Sequence, residues 1–190
     1  SSTALATSDT SARVGTDAVM LSAETATGDY PVQTVEAMAR ICVEAEKSSD
    51  FPLDTHFLHR VFTRIDQSIA MAALFAAHHL KVKAIASLTE SGSTALWMSR
   101  LNTGIPIYAL TQEVRTRYKV SIFKGVFPVM MRQSGQDRDQ VLLDAEEALI
   151  AAGAVEVGDL IVLTIGEPIG KPGGTNTMKI VKVGEHRSNQ

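Results

Sequence analysis

Patterned sequence begins at Gly15. Asp17 to Leu21 reads Asp-Ala-Val-Met-Leu, a short apolar run that predicts a strand. Ser22 to Asp29 is small and polar, with Gly28 as a breaker, and Tyr30-Pro31 then opens a helix. Proline suits the first helical turn because its missing N–H would have no partner there. The helix runs to about Lys47, with Val35, Met38, Ala39, Cys42 and Val43 on one face and Ala45 and Glu46 at its flank. Ser48 to Leu58, with Pro52 in its middle, breaks the pattern and predicts a linker. Asp66 then stands as the cap of a second, alanine-rich helix that ends at His79 or Leu80.

From Lys81 the chain alternates between strand and helix. Strands are predicted at Val82 to Leu88, Ile105 to Leu110, Val126 to Met131 and Leu160 to Ile165. Helices fill the gaps: one through Arg100, one from about Gln112, and one from Gln136 to Ala152 with Val141, Leu142, Ala145, Ala148 and Leu149 on one face. Such alternation implies right-handed crossovers and a parallel sheet covered on both faces. The last connection, Gly166 to Asn176, is too short and glycine-rich for a helix, so the final strand, Thr177 to Val183, should run antiparallel to its neighbour. The expected fold is α/β: a three-layer sandwich around a sheet of about five strands.

Composition narrows the function classes. Eighteen Lys and Arg against 21 Asp and Glu leave a formal net charge of -3, without the basic excess that nucleic-acid binding needs. No apolar run approaches the ~20 residues that cross a bilayer. The single cysteine, Cys42, cannot form an intrachain disulfide; the expectation is a buried, inert thiol in a cytoplasmic protein. Ser1 to Val14 is rich in Ser, Thr and Ala, lacks the pattern of a signal peptide, and reads as a tag, a linker or poorly ordered chain. Asp144, Glu146 and Glu147 are expected on a solvated helix face. His56 with His59, and His78 with His79, lack the spacing of a metal site.

Two loops carry candidate binding chemistry. After the Val82 to Leu88 strand comes Thr89-Glu90-Ser91-Gly92-Ser93-Thr94, at the start of a helix. Free N–H groups and the macrodipole at a helix start attract anions. Thr89, Ser91, Ser93 and Thr94 can each donate an O–H, and Gly92 lets backbone approach a phosphate closely. An ordinary helix cap has the same composition, and Glu90 opposes an anion unless it points away. The second loop, Gly166 to Asn176, holds four glycines and two prolines. It leaves the carboxyl end of a parallel strand, where open α/β sheets bind ligands, and Lys171 can close over an anion. Trp97 and Met98 read as core. Arg115, Arg117 and Lys119 are either a source of positive charge for a ligand or plain surface.

Three segments, in order, resemble pyruvate kinase. Gly15 to Pro31 (Gly-Thr-Asp-Ala-Val-Met-Leu-Ser-Ala-Glu-Thr-Ala-Thr-Gly-Asp-Tyr-Pro) is similar to the family's segment around the eighth strand of its (β/α)8 barrel. Ala84 to Ala95 resembles its effector-phosphate turn, and Gly173 to Ile180 its closing loop and strand. The resemblance covers Gly15 to the end and leaves Ser1 to Val14 outside. It implies residues 15–49 as a remnant of the last barrel strand and helix, and residues 50–190 as a carboxy-terminal regulatory domain.

The resemblance also implies the sites. Thr89, Ser91, Gly92, Ser93 and Thr94 would hold an effector phosphate, and Lys171, Gly173, Gly174 and Thr175 would form the effector loop. AMP or a sugar phosphate is implied as the effector. Fructose-1,6-bisphosphate-activated members often carry a Trp-Arg pair in the last loop, where this chain has Glu167, Pro168 and Ile169. The parent family makes pyruvate and ATP from phosphoenolpyruvate and ADP in glycolysis, with Mg2+ and K+. Its catalytic and metal-binding residues lie on earlier barrel strands, so no catalytic residue, cofactor or metal site is expected in this chain. Partners implied are the parent's catalytic barrel and further copies in a homotetramer, with no nucleic acid and no membrane. Two other readings stay open: a stand-alone phospho-ligand-binding module, and a fragment of an active enzyme whose barrel lies on another chain or was lost.

Overall fold

A run of five residues without charge, Ala84–Leu88, is buried along its whole length, which requires a strand covered on both faces. This strand is β1. β2 (Ile107–Thr111), β3 (Val126–Met130) and β4 (Leu160–Gly166) complete the parallel part of the sheet, and β5 (Thr175–Lys182) pairs antiparallel with β4. The order across the sheet is β3-β2-β1-β4-β5. The elements belong to a computed structural model that describes residues 17–47, 61–101, 103–135, 137–169 and 174–185. These residues fall into two compact units, one before and one after residue 52.

The first unit holds α1 (Ala23–Ala26) and α2 (Pro31–Lys47). The second holds α3 (Ile65–Leu80), α4 (Ser93–Ser99), α5 (Val114–Val120) and α6 (Arg138–Ala151). Strand periodicity separates two cores. Ile85, Ile107, Ala109 and Val162 face Ala70, Leu74, Ala95, Met98 and Val120, so α3, α4 and α5 cover one side. Ala84, Ala86, Leu110, Ile161 and Leu163 face Val141, Leu142, Ala145 and Leu149 of α6 on the other. The expected layering, parallel strands and antiparallel last strand are all present. Ala70, Ala73 and Ala77 have no exposed surface, and their small side chains let α3 lie close on the sheet. Lys81 ends α3 in the left-handed conformation, and Val82 N–H returns to the Ala77 carbonyl at 3.1 Å.

Several local expectations are corrected. Asp17 to Leu21 forms no strand, since no neighbouring strand pairs with it among the described residues; the four-residue α1 follows it instead. Asp66 does not cap α3. The cap position is Arg64, and Asp66 lies in the first turn. On α2, Val35 and Val43 are half exposed and Cys42 is only partly buried; Ala45, expected at the flank, is the helix's buried residue. Trp97 remains partly exposed while Met98 is fully buried. The strands start later than expected at Ala84 and Ile107, and β5 starts earlier at Thr175. The linker at Ser48 to Leu58 and the Ser1 to Val14 segment lie outside the described residues.

The acidic face of α6 is the largest correction. Glu147 is exposed, but Asp144 and Glu146 are buried. Each meets groups from outside the helix, which no helical periodicity reveals. Glu146 accepts the Gly184 N–H at 2.9 Å, tying α6 to the turn after β5. Asp144 accepts the Ser134 N–H at 2.7 Å, the Ser134 hydroxyl at 2.9 Å and the Gln140 amide at 2.9 Å. Burial works against its ionisation, yet these hydrogen bonds outweigh burial and hold its pKa below the ordinary aspartate value. A depressed folded-state pKa stabilises above the unfolded value and loses that stabilisation as pH falls through the folded one. Asp144→Asn should therefore lower the thermal midpoint at pH 7 and narrow its gap to the wild type by pH 3, measured by circular dichroism. A gap independent of pH would contradict this.

Candidate functional site

The turn after β1 is shaped by its own side chains. Thr89 N–H reaches the Leu110 carbonyl at 3.0 Å, carrying the β1–β2 pairing one residue beyond the strand. The Thr89 hydroxyl accepts the Gly92 N–H at 2.9 Å and closes the turn. Gly92 has φ +78°, and a Cβ there would stand 2.6 Å from Val120 Cγ1. Glycine is required on both counts. Ser93 then opens α4, and its hydroxyl donates to Asp66 at 3.3 Å.

Asp66 is buried, yet it has good partners. Arg64 binds both carboxylate oxygens at 2.9 and 2.7 Å, and the Gln67 N–H reaches one of them at 3.0 Å. The Arg64 hydrogen bonds hold the Asp66 pKa below the ordinary range against burial, helped by the positive charge, Ser93 and Gln67. The residue expected as a helix cap is thus a polar anchor beneath the turn.

The second loop is pinned at both ends. Asn176 accepts the Glu167 N–H at 2.9 Å and donates to the Glu167 carbonyl at 2.7 Å. A Cβ on Gly166 would meet the Gly174 carbonyl carbon at 2.9 Å, so the strands leave no room for a side chain there. The Glu167–Pro168 peptide is cis. The two loops meet through the buried hydroxyls of Thr94 and Thr175, 2.7 Å apart and 81 residues apart in sequence.

Together the loops wall an open cleft of about 530 Å3, its solvent mouth included. The cleft lies at the carboxyl ends of the parallel strands. β1 leads to β2 on one side and β4 lies on its other side, so the cleft occupies the point where strand order reverses. Thr89, Ser91, Ser93, Thr94, Gly174 and Thr175 line it, whereas Gly92 shapes the turn without lining the cleft. Lys171 and Gly173 lie outside the described residues. Among the described lining residues Glu90 is the only charged one, set against hydroxyls and the apolar Leu110, Met131 and Ile165. Sequence reasoning missed Gln112 and Gln133, whose side-chain amides bond at 2.5 Å on the cleft wall. Their signal was position: each follows the carboxyl end of a parallel strand.

Thr94→Val and Thr175→Val should each destabilise by roughly 1–3 kcal/mol, because each leaves the other hydroxyl buried without a partner. The double variant should cost less than the sum, in a double-mutant cycle by urea denaturation. Strict additivity would show that the hydroxyl pair does not join the loops.

Comparison with known proteins agrees with this architecture. Residues 67–181 match the family model described as pyruvate kinase, alpha/beta domain. Pyruvate kinase II of Salmonella typhimurium is 44% identical over 170 residues, covering 89% of this chain and 35% of the relative. A pyruvate kinase of Buchnera aphidicola subsp. Baizongia pistaciae is 40% identical over 170 residues, with the same two shares. One from Staphylococcus aureus is 40% identical over 176 residues, covering 92% of this chain and 30% of the relative. The chain thus spans about a third of the length of the curated relatives it matches. It belongs to the pyruvate kinase family, and it carries that family's carboxy-terminal alpha/beta domain.

Proposed function

We propose that this chain is the regulatory and oligomerisation part of a pyruvate kinase, and that its cleft takes the phosphate of a small effector, AMP or a sugar phosphate. One observation carries the reading: the Thr94–Thr175 contact joins two sequence-distant loops into a single cleft at the strand-order reversal. Hydroxyl residues of both loops line the cleft, and Lys171 belongs to the second loop's sequence. The oligomerisation half rests on β5. Among the described residues it is an outer strand of the sheet, and an open sheet edge favours pairing with another chain. The parent's phosphoryl transfer from phosphoenolpyruvate to ADP, with its Mg2+ and K+, is assigned to the barrel. Positioned charge and metal dominate that chemistry. No helix among the described residues is long and apolar enough to cross a membrane.

Titration calorimetry with AMP, ribose 5-phosphate, glucose 6-phosphate and fructose 1,6-bisphosphate tests the effector reading. At least one phosphomonoester should bind, and Ser93→Ala with Thr94→Ala should weaken it roughly tenfold or more, the cost of one or two charge-assisted hydrogen bonds. Binding by none of the four sinks the reading. The chain alone should form no pyruvate from phosphoenolpyruvate and ADP in a coupled assay; measurable turnover would refute the assignment of catalysis to the barrel.

A further inference from the structure

We propose that Thr116 and Lys119, neither of which lines the cleft, are positioning residues that aim the peptide groups of the Thr89 to Gly92 turn at the bound anion. This inference rests on the phosphate-binding reading and concerns how that site is held. Both residues lie on α5, which packs behind the turn: the missing side chain of Gly92 is the space that Val120 occupies. The Thr116 hydroxyl donates to the Glu90 carbonyl at 2.5 Å, and the Lys119 ammonium donates to the Ser91 carbonyl at 2.9 Å. Two consecutive carbonyls are thus drawn toward α5.

A trans peptide is planar, with its C=O and N–H on opposite sides. Drawing the Glu90 carbonyl toward α5 therefore turns the Ser91 N–H away from α5. Drawing the Ser91 carbonyl the same way turns the Gly92 N–H away, and the Thr89 hydroxyl takes that donor at 2.9 Å. Among the described residues no acceptor takes the Ser91 N–H, and Ser91 itself lines the cleft. The clamp thereby leaves a peptide donor for a ligand and keeps two carbonyl oxygens, which an anion would meet as like charge, on the far side. This matters more here because Glu90 is the only charged residue among the described lining. Without the Thr116 donor, the Glu90–Ser91 peptide loses what fixes its direction, and a flip would present an oxygen where the donor stood.

The two residues also divide the work by burial. Thr116 is buried and uncharged, so its hydroxyl acts through geometry alone; Lys119 is exposed and adds positive charge behind the turn. Thr116→Val keeps the shape and removes the donor, whereas Thr116→Ser keeps the donor. Lys119→Met removes both donor and charge at an exposed position where folding is not at stake.

The test is titration of the full chain with inorganic phosphate and with ribose 5-phosphate, following the Ser91 and Gly92 amide resonances by NMR. Thr116→Val and Lys119→Met should each raise Kd roughly three- to tenfold, the equivalent of about one hydrogen bond. The Ser91 amide shift on phosphate addition should shrink in Thr116→Val, and Thr116→Ser should restore both readouts. A merely structural role would lower the thermal midpoint while leaving Kd and the Ser91 response unchanged, and that result overturns the clamp alone. If Thr116→Val fails to fold, unchanged binding by Lys119→Met overturns it instead. A wild type that binds neither phosphate compound removes the phosphate-binding reading itself, and the clamp with it.

Discussion

The pairing of β1 with β4 is the constraint on which the rest of the structure depends. β1 is buried throughout and sits at the centre of the sheet, so it needs a parallel neighbour on each side. The chain fills one side with β2 and β3, then returns through α6 to place β4 on the other. The loops leaving β1 and β4 consequently stand beside each other at the carboxyl edge. A cleft at that edge follows from topology before any side chain is considered.

Polar groups then give the cleft its definition. The buried Thr94 and Thr175 hydroxyls bond to each other, so the two loops hold together or each leaves a buried polar atom without its partner. Asp66 works in the same way beneath the turn. Its charge is tolerable in a buried position because Arg64 grips both oxygens, and its remaining capacity reaches Ser93. Through these contacts the start of α3, the turn after β1 and the loop before β5 form one hydrogen-bonded assembly. On α6, Asp144 and Glu146 likewise spend their carboxylates on backbone N–H groups from other elements.

Much of the fold was legible in the residues. Uninterrupted apolar runs such as Ile161 to Leu163 mark buried parallel strands, and the glycine-rich stretch before β5 excludes a crossover helix and sets its direction. The turn at Thr89 to Thr94 was legible because hydroxyl residues and a glycine directly follow a strand. Boundaries were less so. Asp66 has the composition of a cap, yet it lies inside the first turn, where its carboxylate takes the Gln67 N–H and is shared with Arg64 and Ser93. Asp17 to Leu21 has the composition of a strand, but a strand is a property of a pair, and among the described residues none pairs with it.

The sequence by itself determined the family, the α/β layering and the two loops that carry the candidate chemistry, because these depend on local composition and on periodicity along the chain. Only the tertiary structure decided that the two loops share one cleft, that Gln112 and Gln133 stand on its wall, that Asp144 and Glu146 are buried, and that Thr116 and Lys119 hold the turn from behind. Each of those facts joins residues from different elements. A one-dimensional pattern records what a residue is and how often its kind recurs, but which distant carbonyl, amide or hydroxyl it meets is fixed only when the sheet brings them together.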